Sequence, residues 1–215
     1  MARQSRAIHT RGLILETAAE MFNELGYEAT TIGGLVERAR LTRGCLYFHY
    51  TTKEQLARAV LAEAAITEGL ATQSFKLQEW VDLGLLLAHR APREPLLAAA
   101  LRLSGDVRAR ELLGTRWPEW IGAGEELLSE ARERGELLVH ADPYEIARLL
   151  VGAWAGMQLL TEALPGGDLA EEVSRFFQLV LPVVATAGVL VKLDTSPNRA
   201  ARLLAEARGE SLAVP

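Results

Sequence analysis

One cysteine, Cys45, stands in the 215 residues. No intrachain disulfide framework can brace the fold, and this usage suits a reducing, cytoplasmic setting. Long hydrophobic runs are missing too. The longest nearly apolar stretch, 176–191, is interrupted by Gln178, Pro182 and Thr186. It falls short of the roughly 20 residues a bilayer requires, so it reads as a buried helix and no membrane partner is expected. No N-terminal stretch has the charged, apolar and small-residue order of a secretory signal. There is no Gly-rich phosphate loop and no metal-ligand spacing. His9, His49, His89 and His140 are scattered, and Cys45 has only distant candidates for a base. An enzyme active site, a metal and a cofactor are accordingly not expected. Repeats and low-complexity tracts are absent.

What is present is ordinary for a globular protein: 49% apolar and 24% charged residues, in a chain long enough for two modest domains. The net charge of −5 argues at first against nucleic acid. Its distribution changes that reading. Residues 1–58 hold eight Lys/Arg against six Glu, a balance of +2, while the remainder holds 15 basic and 22 acidic residues, a balance of −7. Charges beyond about 8–10 Å are screened at cellular salt, so a basic head on an acidic body can still bind phosphate locally.

Along that head, Ile8, Ile14, Leu15, Ala18, Ala19, Phe22 and Leu25 recur at helical spacing. Gly26 follows where a left-handed residue closes helices best. Thr30 and Thr31 are N-cap residues for a short second helix with Ile32, Leu35, Val36 and Ala39 facing inward. After the turn Arg40-Leu41-Thr42, Thr42 caps a third helix from Arg43 to His49. A fourth restarts at Thr51-Thr52-Lys53-Glu54, with Leu56, Val60 and Leu61 as its core stripe. Short helices around a three-residue turn are the geometry of a helix-turn-helix, whose recognition helix enters the major groove of double-stranded DNA. Leu46 should pack inward, leaving Thr42, Arg43, Gly44 and Tyr47 outside. Arg43 is the candidate base reader, because a guanidinium can bond guanine O6 and N7 together. Gly44 lets the backbone approach the duplex. Tyr47, His49 and Lys53 are candidates for phosphate contacts.

The segment TIGGLVERARLTRGCLYFHY (31–50), continued by TTKEQL (51–56), resembles the DNA-binding signature of the TetR family. The likeness extends upstream through Arg11, Ile14, Ala18, Phe22, Gly26 and Thr30, and covers roughly 8–58. More narrowly, MARQSRA (1–7), LYFH (46–49), LQEWVDLG (77–84), PEW (118–120) and GAWAGMQ (152–158) resemble the γ-butyrolactone receptor branch of streptomycetes. The resemblance implies an all-α, two-domain protein forming an Ω-shaped homodimer of nine or ten helices per chain, whose heads occupy successive major grooves of a palindrome. On that basis residues 1–55 are expected to be the helix-turn-helix domain and 56–215 the ligand-binding and dimerisation domain. The expected DNA-contacting set is Arg3, Thr31, Thr42, Arg43, Gly44, Tyr47, His49 and Lys53. Two departures stand out: Arg40 and Leu41 where the family usually has Gly and a smaller β-branched residue, and Cys45 for a usual Ala or Thr. Cys45 reads as a small apolar core residue.

Beyond residue 60 the pattern predicts helices over about 53–72, 76–91, 94–104, 106–114, 117–135, 142–164, 168–186 and 196–208. Asp142-Pro143 is a cap followed by a first-turn proline. Gly152, Ala153, Ala155 and Gly156 make a small-residue face, and the next helix, with Phe176, Phe177, Leu179, Val180, Val183 and Val184, is apolar nearly all round. Two such helices from each subunit would form a four-helix dimer core. For a ligand, Trp117, Trp120, Trp154, Met157, Leu83, Leu86 and Leu87 supply bulk, and Gln158, Thr161, His89 and Ser104 supply hydrogen bonds. The resemblance singles out Trp120. The ligand-site candidates are thus Trp120, Gln158, Thr161, Trp154, Leu87 and His89, with Gln158 and Thr161 both aimed inward. The expected function is repression of palindromic operators, relieved when a small diffusible signal such as a γ-butyrolactone, butenolide or furan binds the body, in control of secondary metabolism. The alternative is a repressor of the same type sensing antibiotics or other xenobiotics, for example at an efflux gene.

Overall fold

A computed structural model of the chain describes residues 2–208, with side chains from residue 7 onward. Among the described residues there are twelve helices and no strand. The implied nine or ten becomes twelve partly because a four-residue helix after the last long apolar one was not anticipated. The chain packs into two compact units: Met1–Ala65 with Ala91–Arg116, and Ile66–Arg90 with Trp117–Pro215.

In the first unit, α1 (Ala2–Ala29), α2 (Ile32–Arg38), α3 (Arg43–His49) and α4 (Lys53–Glu63) are joined by α6 (Pro95–Gly105) and α7 (Val107–Leu113). The helix starts are chemically specified: Thr31, Thr42, Thr52 and Asp106 each accept a backbone N–H of their helix's first turn. Gly26 breaks α1 as expected, at φ 77° and ψ 177°, and one further short stretch carries the helix to Ala29. Ile14, Ala18, Phe22, Leu35, Leu46, Leu56 and Val60 are buried, each large one contributing about 1.5–3 kcal/mol over its exposed state. Two residues of the expected stripe do not join them. Ile8 and Leu25 are exposed. α4 ends at Glu63 instead of running to 72. Beyond it, Gly69 adopts φ +82°, which a helix does not permit.

The α2–α3 turn explains one departure from the family pattern. Leu41 N donates to Val36 O at 3.1 Å and Arg40 N to Glu37 O at 3.2 Å. These are the paired bonds of a Schellman motif, which places its C′ residue in the left-handed region. Arg40 occupies that place with φ 53°.

The second unit holds α5 (Lys76–Arg90), α8 (Trp117–Glu133), α9 (Pro143–Ala163), α10 (Leu169–Val184), α11 (Ala187–Leu190) and α12 (Arg199–Ala207). α5 is the central helix, packed by α8, α10 and α12 and buried almost throughout. Its buried Gln78, Glu79, Asp82 and Arg90 side chains are all hydrogen-bonded. The Glu136 carboxylate accepts the first N–H groups of α5, from Lys76 and Leu77. Asp82, fully buried, accepts from Gln78 at 2.7 Å and from Arg199 of α12 at 2.5 and 2.9 Å. Gly84 leaves room for the Phe177 ring, which would meet a Cβ there at 2.7 Å.

Candidate functional site

On α3, Leu46 is fully buried, whereas Thr42, Arg43, Gly44 and Tyr47 are exposed together. No hydrogen bond or ion pair among the described residues holds Arg43, so its guanidinium is available to a partner. A Cβ added at Gly44 would meet nothing within 4 Å, so the backbone is open on that side. Thr31 and Thr42 use their hydroxyl oxygens as helix caps, to Gly34 N at 3.1 Å and Cys45 N at 3.2 Å. His49 is half-buried, with its ring edge-on to Phe48 at 5.1 Å. Cys45 is half-buried. The side chain of Arg3 lies outside the described residues.

Lys53 is placed differently from a free phosphate ligand. Its Nζ donates to Tyr27 O at 2.8 Å and Glu28 O at 3.1 Å, and sits 4.4 Å over the Tyr27 ring. Tyr27 donates to Glu54 Oε1 at 3.2 Å. Burial, reinforced by the Glu54 charge, pushes the Tyr27 hydroxyl up to about 12. This cluster ties the end of α1 to the start of α4. Sequence reasoning missed Phe48, which is 81% exposed on the same helix as Arg43 and Tyr47. Its ring is an apolar surface left open to solvent beside those two side chains. Spacing alone could have flagged it, since Gly44 and Phe48 are four residues apart.

In the second unit, Trp120 is buried and Trp154 half-buried, and the indole N–H of each is shut off from solvent without an acceptor. A buried donor left unpaired costs about 1–3 kcal/mol. Trp154 and Leu87 both pack against the buried core of this unit, and Leu87 and His89 are half-buried. Gln158 and Thr161 are half-buried, but both bond along their own helix, Gln158 to Glu162 at 3.3 Å and Thr161 to Met157 O at 2.9 Å. Ser104 is not among this group: it lies on α6 of the first unit. Among the described residues no cluster of His, Cys, Asp and Glu could hold a metal, and no helix is long and apolar enough to cross a membrane.

Residues 14–60, which span these caps, the Schellman turn and the recognition-type helix, match the family model for bacterial regulatory proteins of the tetR family. The A-factor receptor protein of Streptomyces griseus is 34% identical over 210 residues, 97% of this chain and 75% of that protein. The chain belongs to the tetR family. The crystal structure of TylP, a TetR regulator from Streptomyces fradiae, matches with 41% identity and a TM-score of 0.78, covering 99% of this chain and 96% of that one. A γ-butyrolactone receptor, described as ArpA-like, matches with 25% identity and a TM-score of 0.71 over 94% of this chain and 98% of its own. Within the tetR family the chain thus falls in the γ-butyrolactone receptor branch.

Arg116, the last residue of the first unit, donates to Leu61 O at the end of α4. Arg58 of α4 in turn donates to Leu112 O and Leu113 O at the end of α7. Each helix C-terminus receives a guanidinium, which satisfies orphan carbonyls and opposes the negative dipole end. Neither arginine was singled out from the sequence.

Proposed function

We propose that this protein is a cytoplasmic, homodimeric repressor that holds a palindromic operator until a small signal of γ-butyrolactone, butenolide or furan type binds its body, and that it controls secondary metabolism. The observation that carries the reading is the combination of an open recognition-type helix with buried, unpartnered tryptophan donors in a separate apolar core. In this reading Arg43 reads a base, Gly44 admits the backbone, and Tyr47, His49 and the capped turns at Thr31 and Thr42 position phosphates, with Arg3 adding a DNA contact. The division of labour follows residues 1–55 for DNA and 56–215 for ligand and dimer. No catalytic step is assigned to it.

A dimer is supported by an apolar surface on α9 and α10. Leu149, Leu159, Leu160, Leu179 and Val183 are exposed, and a Cβ at Gly152 or Gly156 would meet nothing within 4 Å. A second copy is the occupant, because small residues in open space admit a facing helix closely. Release requires the ligand to favour a state whose recognition helices no longer sit about 34–36 Å apart, one turn of DNA.

A gel-shift titration of operator complexes with lactones, butenolides and furans tests the reading. Release by one of these classes is expected, and Trp120→Ala should retain operator binding while losing release. Loss of both would make Trp120 a core residue only, and release by no member of the three classes would overturn the signal assignment.

A further inference from the structure

Phe48 is 81% exposed on α3, and its neighbours define where on the helix it stands. Leu46 is fully buried, and Cys45 and His49 are half-buried, which fixes the inward side. At about 100° per residue the outward side runs from Arg43 through Tyr47 and Gly44 to Phe48. All four of these residues are open to solvent. Arg43 and Phe48 thus form the two margins of one face, about 140° apart around the axis and about 7.5 Å along it.

The ring is held from one side. The His49 imidazole meets it edge-on, centroids 5.1 Å apart at 88°. Side chains on a helix lean towards its N-terminus, which directs Phe48 over the turn that contains Gly44. There the surface is bare, since a Cβ built on Gly44 meets nothing within 4 Å. The space is at least as large as a methyl group, and Tyr47 and Phe48, three and four residues on, are its neighbours along the helix.

A phenyl ring has no hydrogen-bonding group with which to hold a phosphate or the polar edge of a base. Among the features that base pairs present in the major groove, the apolar one is the C5 methyl of thymine. A single exposed ring is ordinary on a protein surface; what distinguishes Phe48 is its place on the face that carries Arg43.

We propose that Phe48 is a specificity-determining residue, selecting a thymine by packing on its C5 methyl in the space beside Gly44. The proposal rests on the operator-binding reading above and adds a rule for the operator sequence. Base pairs rise about 3.4 Å each, so in every half-site the thymine lies within about two base pairs of the base that Arg43 reads. Phosphate contacts from Tyr47 and His49 set the register and leave this choice to the ring.

The test uses full-length protein and a duplex that it enriches from a random palindromic library. Each thymine of a half-site is replaced in turn by uracil, which removes the C5 methyl and keeps every hydrogen-bonding group. At one position the replacement should weaken binding about fourfold per half-site, the effect of one lost methyl contact. Phe48→Ala should bind the thymine and uracil duplexes equally at that position. A wild type indifferent to uracil at every position overturns the proposal, as does a discrimination that survives Phe48→Ala, and both leave operator binding intact. Should Phe48→Ala fail to fold, Phe48→Gln takes its place. A protein that enriches no duplex overturns the operator-binding reading and the proposal together.

Discussion

Arg58 holds the end of α7 through the carbonyl of Leu112, with Nη2 2.8 Å from Leu112 O, while its Nη1 reaches Leu113 O at 3.0 Å. The bonds are exposed, so their contribution to stability is small, about 1 kcal/mol. Within the first unit they tie α4 to α7. Arg58→Ala should lower the melting temperature only slightly, by a few degrees at most. Thermal melts check it, and a larger fall would show that the end of α7 is held chiefly by these bonds.

Arg40 pays for its left-handed backbone, φ 53°, with strain that glycine does not have. Arg40→Gly should therefore be neutral to stabilising, by up to about 1 kcal/mol, since the gain in backbone comfort is partly offset by a more flexible unfolded chain. Denaturant unfolding reads the sign. A loss of more than about 1 kcal/mol would show that the arginine side chain contributes more than the strain costs.

Lys53 spends two of its three ammonium donors on Tyr27 O and Glu28 O. Lys53→Met should destabilise by about 1–2 kcal/mol and weaken operator binding through disorder at the α1–α4 junction. The dependence of log affinity on log salt should keep its slope. A slope reduced by about 1 would instead identify Lys53 as a phosphate contact.

Tyr27 carries a raised hydroxyl pKa, about 12, through burial and the neighbouring Glu54. A folded-state value above the unfolded one means that stability is intact below pH 10 and falls as pH rises from 10 towards 12, because the unfolded chain releases the proton first. The loss attributable to Tyr27 should approach about 2 kcal/mol, and Tyr27→Phe should remove that part of the alkaline decline. Parallel pH series of denaturant melts for the two proteins measure it.

Leu179 is 78% exposed on an otherwise core-forming helix. Leu179→Glu should convert dimer to monomer in sedimentation velocity, since a carboxylate desolvated in an apolar interface has no partner. A dimer of unchanged stability would move the interface off α10.

Much of the head was legible in the residues because its determinants are local. Thr31, Thr42 and Thr52 cap the helices they precede, Gly26 breaks α1, and Leu35, Leu46 and Leu56 are buried, all within a few residues of the signal that announces them. The candidate ligand site was legible only in part. Trp120 and Trp154 could be named, but Gln158 and Thr161, whose spacing pointed inward, bond along α9 instead. A polar side chain on a helix can always turn to its own backbone or to a neighbour four residues on, and sequence spacing does not say which it takes.

The amino-acid sequence by itself determined the helical elements, the turn that makes a helix-turn-helix, and a basic head on an acidic body. Those follow from dihedral preferences, capping and periodicity, which act over three or four residues. The tertiary structure alone decided that Lys53 turns back onto α1, that α6 and α7 pack into the same unit as the head, and that Trp80 has no acceptor for its N–H. These depend on which distant groups come to lie beside one another, and hydrogen bonding and burial are properties of that meeting rather than of any one residue.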